Sequence, residues 1–397
     1  MAKLVVKEED FQYWHTAQLS SSAGTYLPRK VIQYIEFNKS LGTGFRTQNI
    51  ETKFEDGTKK SDVYLTSAFP GAKPEDGMKL VEGGHGSSFG YDGTDFYIVW
   101  KGDLVKFPMA KNTTLTKAQT KKVFADGVKT PGSRVVLDKT GTGKFLFTDG
   151  MANEGNLKFT VTDNLGEKKH EINQSTLGIL DNGQETYQST ALAYPLMAVF
   201  TGDTDEKKKN PTLYIYDLST NTLNSKVTFA FPVKGNIWDE PNAKGYLHHE
   251  AETVNFIYPS DPAARANAKP MVVVEFVNHS TKASDPVGSA KTHRIYVAQM
   301  HEEGKEPTDM YYGKHLKIAA RTYVAKSKMN VYKDVEFTIK TGVSFAKGDS
   351  FKVAPSEEPT ADKTAAGTPR LRLANGSGYV SANVNFSSFN DINENQA

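Results

Sequence analysis

The sequence contains no cysteine, which removes thiol catalysis, cysteine-ligated metal and disulfide cross-links from consideration. An excess of one charge sign is also missing. The 48 basic side chains face 46 acidic ones, so the basic face that holds nucleic acid is not expected. Local runs such as Lys207-Lys208-Lys209 read as solvated loop. No apolar run approaches the length of a membrane-spanning helix. Residues 1–10 lack the apolar stretch of a secretory leader, so export by another route, a removed leader or release by lysis is implied. Helical periodicity is scarce; only Leu115–Phe124 and Pro262–Ala268 read as short helical turns.

What is present is strand text. Val31–Phe37, Phe96–Trp100, Lys144–Thr148, Leu157–Val161, Leu213–Tyr216, Lys226–Phe231, Met271–Phe276 and Arg294–Ala298 alternate apolar with polar residues, as half-buried strands do. Between such runs stand Asp56-Gly57, Asp92-Gly93, Asp126-Gly127, Asp149-Gly150 and Asn182-Gly183. These dipeptides supply the positive φ that tight hairpins need. Many short strands with regular turns predict an all-β fold.

A degenerate repeat of roughly 50–60 residues runs through this text. Gly84-His85, Gln188-Ser-Thr-Ala and His249-Glu250-Ala-Glu252 each open a unit of an apolar strand, a loop and an amphipathic strand; weaker units cover Tyr34–Thr66 and Arg134–Thr162. Radial repetition of small sheets buries both faces of each and leaves only short edges, so the expectation is a five-bladed β-propeller over about residues 10–315. A pair of face-packed sheets is the alternative. The chain divides into a propeller at 1–318, a small β-barrel at 319–390 and a disordered tail at 391–397.

The tail module reads as strands Arg321–Ala325, Met329–Tyr332, Glu336–Ile339, Ser350–Val353, Arg370–Leu373 and Gly378–Ser381, punctuated by Gly342, Gly348 and Gly376. Asn330-Val331-Tyr332 and the closing Asn375-Gly-Ser-Gly-Tyr-Val-Ser381 resemble the two ends of bacterial Src-homology-3-type wall-binding barrels. Farther upstream, Gly83-Gly84-His85, Gln188–Ala193, Leu213–Thr220 and His249–Glu252 follow the order seen in helveticin-J-type bacteriocins, whose propeller relatives also occur in phage adhesins. The Thr204–Asn210 loop departs from that pattern, and Ser189-Thr190-Ala191 stands where the family carries a His-Ala-Glu-like triplet. The resemblance implies a propeller and antagonism of related bacteria; absence of cysteine suits an exported Gram-positive protein with a large β-core.

Several residues carry candidate chemistry. If each blade's opening strand lies innermost, His85, His249, Glu250 and Glu252 converge on a shared axis, able to bind a cation or sugar hydroxyls, act as an acid/base pair, or join blades. Glu250 and Glu252 are two apart on one strand, hence on one face and roughly 7 Å apart. Glycoside hydrolysis instead needs carboxyls on opposite sides of the scissile bond. His248-His249 has no third ligand at metal-binding spacing, and no metal or cofactor is expected. Asp138-Lys-Thr-Gly-Thr142 copies the phosphorylated-aspartate motif of P-type pumps, yet it joins two strand runs and reads as a hairpin turn; Gly141-Thr-Gly-Lys144 lacks full phosphate-loop spacing.

Trp14, Trp100, Trp238, Tyr91, Tyr97, Tyr246, Tyr311 and Tyr312 either stack on sugar rings or fill gaps between blades, Trp238 being the strongest binding candidate. In the tail, Tyr332, Tyr379, Arg370 and Arg372 could meet a wall peptide or anionic wall polymer, or else serve the barrel. Together these readings favour a binding protein, with a cell-wall hydrolase as the enzyme it would be otherwise: a wall-associated or secreted, glycan-binding, bacteriocin-like antibacterial protein or bacteriolysin. Its partners would be cell-wall glycan, peptidoglycan or teichoic acid. A phage tail adhesin, carried on the virion, and a propeller-fold glycoside hydrolase are the alternatives.

Overall fold

In the computed structural model, the described residues are 3–17, 32–37, 44–53, 59–67, 77–83, 86–179, 186–202, 210–229, 248–257, 269–279, 291–305, 322–353, 362–365, 369–383 and 386–389. The protein is all-β, 57% strand and 5% helix, in many small sheets. The expected class is therefore observed.

Five antiparallel meanders follow one another. Sheet I holds Ile32–Phe37, Gly44–Lys53, Lys59–Ser67 and Met78–Leu80, with Thr113–Leu115 added in parallel. Sheet II holds Gly90–Tyr91, Asp95–Trp100, Asp103–Pro108 and Lys121–Lys122; sheet III holds Arg134–Leu137, Phe145–Asp149, Lys158–Thr162 and Lys168–Asn173. Sheet IV runs Tyr187–Ala193, Leu196–Thr201, Thr212–Asp217, Thr222–Thr228. In sheet V, His248–Ile257, Met271–His279 and Lys291–Gln299 are joined by Gln12–Ala17 from the start of the chain.

Local sequence explains these elements. In Asp95–Trp100 the apolar residues Phe96, Ile98 and Trp100 are buried while Tyr97 and Val99 are half-buried, as period-two alternation requires. Leu196–Thr201 is buried throughout, which an alternating pattern cannot reveal and a continuous apolar run can. Gly93, Gly127 and Gly150 take φ of 104°, 88° and 79°, but only Asp92-Gly93 turns a tight hairpin: Asp126-Gly127 lies in the connection from sheet II to sheet III, and Asp149-Gly150 opens a longer connection containing a 3-10 turn. Asp56-Gly57 and Asn182-Gly183 lie outside the described residues.

Each sheet touches the next through its opening strand or the residues that flank it. The Tyr91 N–H donates to Glu36 (I–II), Val135 N–H to Ser88 Oγ (II–III) and Lys139 N–H to the Leu192 carbonyl (III–IV). Val254 N–H donates to Ser189 Oγ (IV–V), and Ile35 N–H to Thr253 Oγ1 (V–I). The contacts thus return to the sheet they started from. Gly90 is needed at the II–III seam, because a Cβ there would lie 2.6 Å from that of Leu137. One apolar cluster runs through sheets I–IV and another joins IV, V and the N-terminal Val6 and Phe11.

The C-terminal region has its own core of Tyr323, Met329, Val331, Phe351, Leu371, Val380 and neighbours. Its five-stranded sheet runs in space Lys340–Phe345, Met329–Tyr332, Tyr379–Ser381, Pro369–Arg372, Asp362–Lys363, beside a three-stranded sheet of Ser350–Lys352, Thr322–Ala325 and Ser387–Phe389. The strand expected at Glu336–Ile339 is instead a turn, and pairing resumes at Lys340. The Asp334 carboxylate makes it so, accepting the N–H groups of Thr338 and Ile339 at 3.0 and 2.8 Å. Gly342, Gly348 and Gly376 all have positive φ, but only the last two punctuate strands; Gly342 lies within Lys340–Phe345, in an irregularity where residues 341–343 oppose Val331.

The expected helical turn near Leu115 is a 3-10 turn, Lys117–Gln119, while Gln174–Leu177 forms a short α-helix that periodicity did not reveal. Residues 262–268 and 391–397 lie outside the described residues.

Candidate functional site

Glu36 is the meeting point of the five-sheet body. Its carboxylate accepts from the Tyr34 hydroxyl of its own strand at 3.3 Å, the Tyr91 N–H of sheet II at 3.2 Å and Asn255 Nδ2 of sheet V at 2.9 Å. It also pairs with Lys139 of sheet III, whose ammonium donates to the Phe37 carbonyl at 2.9 Å. Glu36 is fully buried, so these donors replace the water it lacks. Burial first, then Glu36 and the nearby Tyr187, push the Tyr34 hydroxyl well above the ordinary phenol range. Sequence reading passed over Glu36. Its one signal was an acidic residue inside a strand otherwise Ile, Tyr and Phe.

Lys139 is held there by the Asp138–Thr142 turn. Asp138 is buried and accepts from the N–H groups of Thr140 (3.1 Å) and Thr142 (3.0 Å), both threonine hydroxyls, and Tyr194 N–H (2.8 Å). A carboxylate so saturated by its own hairpin is a structural knot. The turn joins Arg134–Leu137 to Phe145–Asp149, as its Gly and polar content predicts.

A second buried cluster fastens sheet V to sheet I. His293 Nε2 accepts the Ile32 N–H at 3.2 Å, so that nitrogen is unprotonated, and Nδ1–H faces Glu275 Oε1 at 2.7 Å. The other Glu275 oxygen accepts the Thr253 hydroxyl at 2.6 Å, and Thr253 receives Ile35 N–H. Nearby Arg46 is buried, and that burial lowers its pKa to about 10 although Tyr64 and Glu275 oppose the shift.

The starts of the opening strands carry the accessible polar groups. Gln188 Nε2 donates to Glu250 Oε1 at 3.1 Å across the IV–V seam. The Arg134 guanidinium lies 4.7 Å from the Tyr187 ring across the III–IV seam. Arg134, with Ser88, also lines a cavity of about 290 Å³ whose walls include Thr47, Val63, Phe89 and Phe96. Arg134 at that cavity and the Gln188–Glu250 pair at the next seam are all half-buried, a discontinuous polar rim along the opening strands of sheets III to V whose groups suit hydroxyl-rich ligands.

The sequence-predicted residues distribute unevenly around this rim. Glu250 is part of it. His249 and Glu252 are buried, and Glu252 is the extra residue of a β-bulge between Ala251 and Thr253. That register shift breaks the regular alternation used to put Glu250 and Glu252 on one face. His85 and Trp238 lie outside the described residues, as do Tyr246, Tyr311 and Tyr312, and nothing is described of the Trp14 side chain. Trp100 is buried and fills space in the core; Tyr97 donates to Asp92 at 2.7 Å, and burial followed by that bond raises its pKa. Among the described residues no group of three or more metal-ligating side chains occurs, and no helix is long and apolar enough to cross a membrane.

In the tail the four predicted residues do come together. Tyr332 pairs with Tyr379, and Tyr379 with Arg372, in register across neighbouring strands; Arg370 lies two residues from Arg372 on the same strand. Cross-strand partners share a face, while the intervening Val331, Leu371 and Val380 are buried on the other. Phe337, missed by sequence reading, stacks on Tyr332 at 4.2 Å, and the Arg370 guanidinium lies 4.0 Å from the Phe337 ring. Burial lowers the Arg370 pKa, with Glu336 acting in the opposite direction. Gly378 lets the strands close here, since a Cβ would sit 2.1 Å from the Tyr332 carbonyl oxygen.

Comparison with known proteins adds three findings. Residues 311–386 match a family model described as a domain of unknown function, DUF5776; neither a helveticin-J-type nor a Src-homology-3 family is matched. No curated protein matches the chain. Among solved structures, the tail fiber of a Staphylococcus aureus phage superposes with a TM-score of 0.51 at 13% identity, covering 92% of this chain and 71% of that one. An α-L-arabinofuranosidase from Podospora anserina reaches a TM-score of only 0.38 at 9% identity, over 73% of this chain and 98% of that one, too distant to bear on its chemistry. The fold of the chain is therefore similar to that of a phage tail fiber.

Proposed function

We propose that this chain is a receptor-binding protein that recognises a bacterial surface glycan, in the manner of a phage tail adhesin. In this reading the five sheets form a five-bladed propeller, the strand Gln12–Ala17 completes the last blade, and the C-terminal sheets form a small barrel with a second contact. Support comes from the cyclic order of hydrogen bonds between opening strands and from the convergence of four sheets on Glu36. The observation that carries the adhesin reading is the likeness to a phage tail fiber over 92% of the chain. The Arg134–Gln188–Glu250 rim is then the glycan contact, with guanidinium, amide and carboxylate groups to bind hydroxyls.

The test is co-sedimentation of the full chain with purified Gram-positive cell walls. Wild type is expected in the pellet. Arg134→Ala combined with Glu250→Ala should weaken retention on the order of tenfold, since two or three hydrogen bonds to a ligand are lost. A wild-type protein that stays in the supernatant with every wall tested would overturn the reading.

A second reading, a bacteriocin-like protein, is favoured by the order of the Gly83-Gly84-His85, Gln188–Ala193 and His249–Glu252 segments. It predicts a monomer that kills sensitive cells. The adhesin predicts a trimer without killing, so solution mass and a viability count separate the two.

A further inference from the structure

The outward face of the C-terminal five-stranded sheet carries an ordered row of side chains. Lys340 is in register with Tyr332, Tyr332 with Tyr379, and Tyr379 with Arg372, so four adjacent strands contribute cation, ring, ring, cation in that order. Lys340 and Arg372 are exposed and the two tyrosines half-buried. Three inter-strand steps separate the end charges by about 14 Å. Arg370 adds a third cation two residues from Arg372, fixed by Phe337 and by donation of its Nε–H to the Val335 carbonyl at 3.2 Å. Phe337 holds its place with φ of 63°, a left-handed value uncommon for a bulky residue. Arg370 is in register with Asp362 on the next strand and feels the Glu336 carboxylate, whereas Asp334 accepts backbone N–H groups of its own turn; the cations at the two ends of the row are Lys340 and Arg372.

We propose that this row is the docking site for a linear wall polymer linked by phosphodiesters, lying across the strands. A single phosphate or carboxylate cannot reach both ends of such a row. A polymer with anionic centres at intervals can, and the uncharged polyol between phosphates meets the two phenol rings. The Arg372 fork takes phosphate oxygens in a planar, paired geometry, and Lys340 supplies a point charge at the other end. This inference rests on the surface-adhesin reading and gives the region matching DUF5776 a ligand class.

The experiment uses the full chain with soluble poly(glycerol phosphate), and with walls before and after acid removal of phosphodiester-linked polymers. Wild type should bind the polymer in a salt-sensitive way and lose most retention on stripped walls. Lys340→Glu with Arg372→Glu should weaken polymer binding at least about tenfold, with the melting temperature measured alongside. The neutral pair Lys340→Gln with Arg372→Gln gives the same direction if the reversal disturbs folding. Equal retention on stripped walls, or polymer binding within twofold of wild type in both variants, overturns this proposal alone. Failure of wild type to bind any wall overturns it together with the adhesin reading.

Discussion

At the residue scale, the buried charges explain more than the exposed ones. Glu36 is 1% exposed at its side chain and Lys139 13%, so neither charge has much water to fall back on. Removing one partner leaves the other unpaired in a low-dielectric interior, which costs about 3–5 kcal/mol. Lys139→Met is therefore expected to lower unfolding free energy by about 3 kcal/mol, measured by urea denaturation. Lys139→Met combined with Glu36→Gln should recover part of the loss, because no lone charge then remains. A double variant as unstable as the sum of the two single variants would argue against this account of the pair.

At the scale of elements, alternation was a good guide where one face of a strand is covered and a poor one where both are. Asp95–Trp100 could be read residue by residue, whereas Leu196–Thr201 shows only that it is apolar. The bulge at Glu252 and the turn at Asp334–Ile339 were hidden for a shared reason. Each follows from hydrogen bonds to a partner distant in sequence or to an adjacent carboxylate, and hydrophobic periodicity records neither.

The element most dependent on tertiary context is Gln12–Ala17, which pairs with Lys291–Gln299 across almost the whole chain. Deleting residues 1–17 unpairs that edge, exposing the buried strand Ile295–Ala298 beneath it. Melting should fall by roughly 5–10 °C for a loss of several kcal/mol. A synthetic peptide of residues 10–18 added in trans should restore part of it by re-forming the strand. An unaltered melting temperature in the deletion would show that the strand contributes nothing to the fifth sheet.

At the scale of the molecule, and among the described residues, the apolar clusters of the five-sheet body and of the C-terminal sheets share no residue. Two separate cores unfold as two cooperative units when little surface joins them. Calorimetry is expected to resolve two transitions, and Leu371→Ala, which opens a cavity in the smaller core, should lower only one of them, by about 2–5 kcal/mol. A single transition shifted as a whole would mean that the regions are thermodynamically one. Two contacts on one chain would also carry a physical advantage. Two modest sites on one chain bind a polymeric surface far more tightly than either does alone, because the second encounter is intramolecular.

The amino-acid order alone settled the all-β character, most strand positions, the Asp92-Gly93 hairpin and the structural nature of the Asp138–Thr142 turn, because each depends on neighbours within a few residues. It also named Tyr332, Arg370, Arg372 and Tyr379, though not that they share one face. Only the folded arrangement decided that Glu36 joins four sheets, that Gln188 meets Glu250, and that Lys340, Tyr332, Tyr379 and Arg372 form a row. Those are facts of register and of seams between sheets, set by backbone pairing between segments far apart along the chain. No local pattern of side chains encodes them.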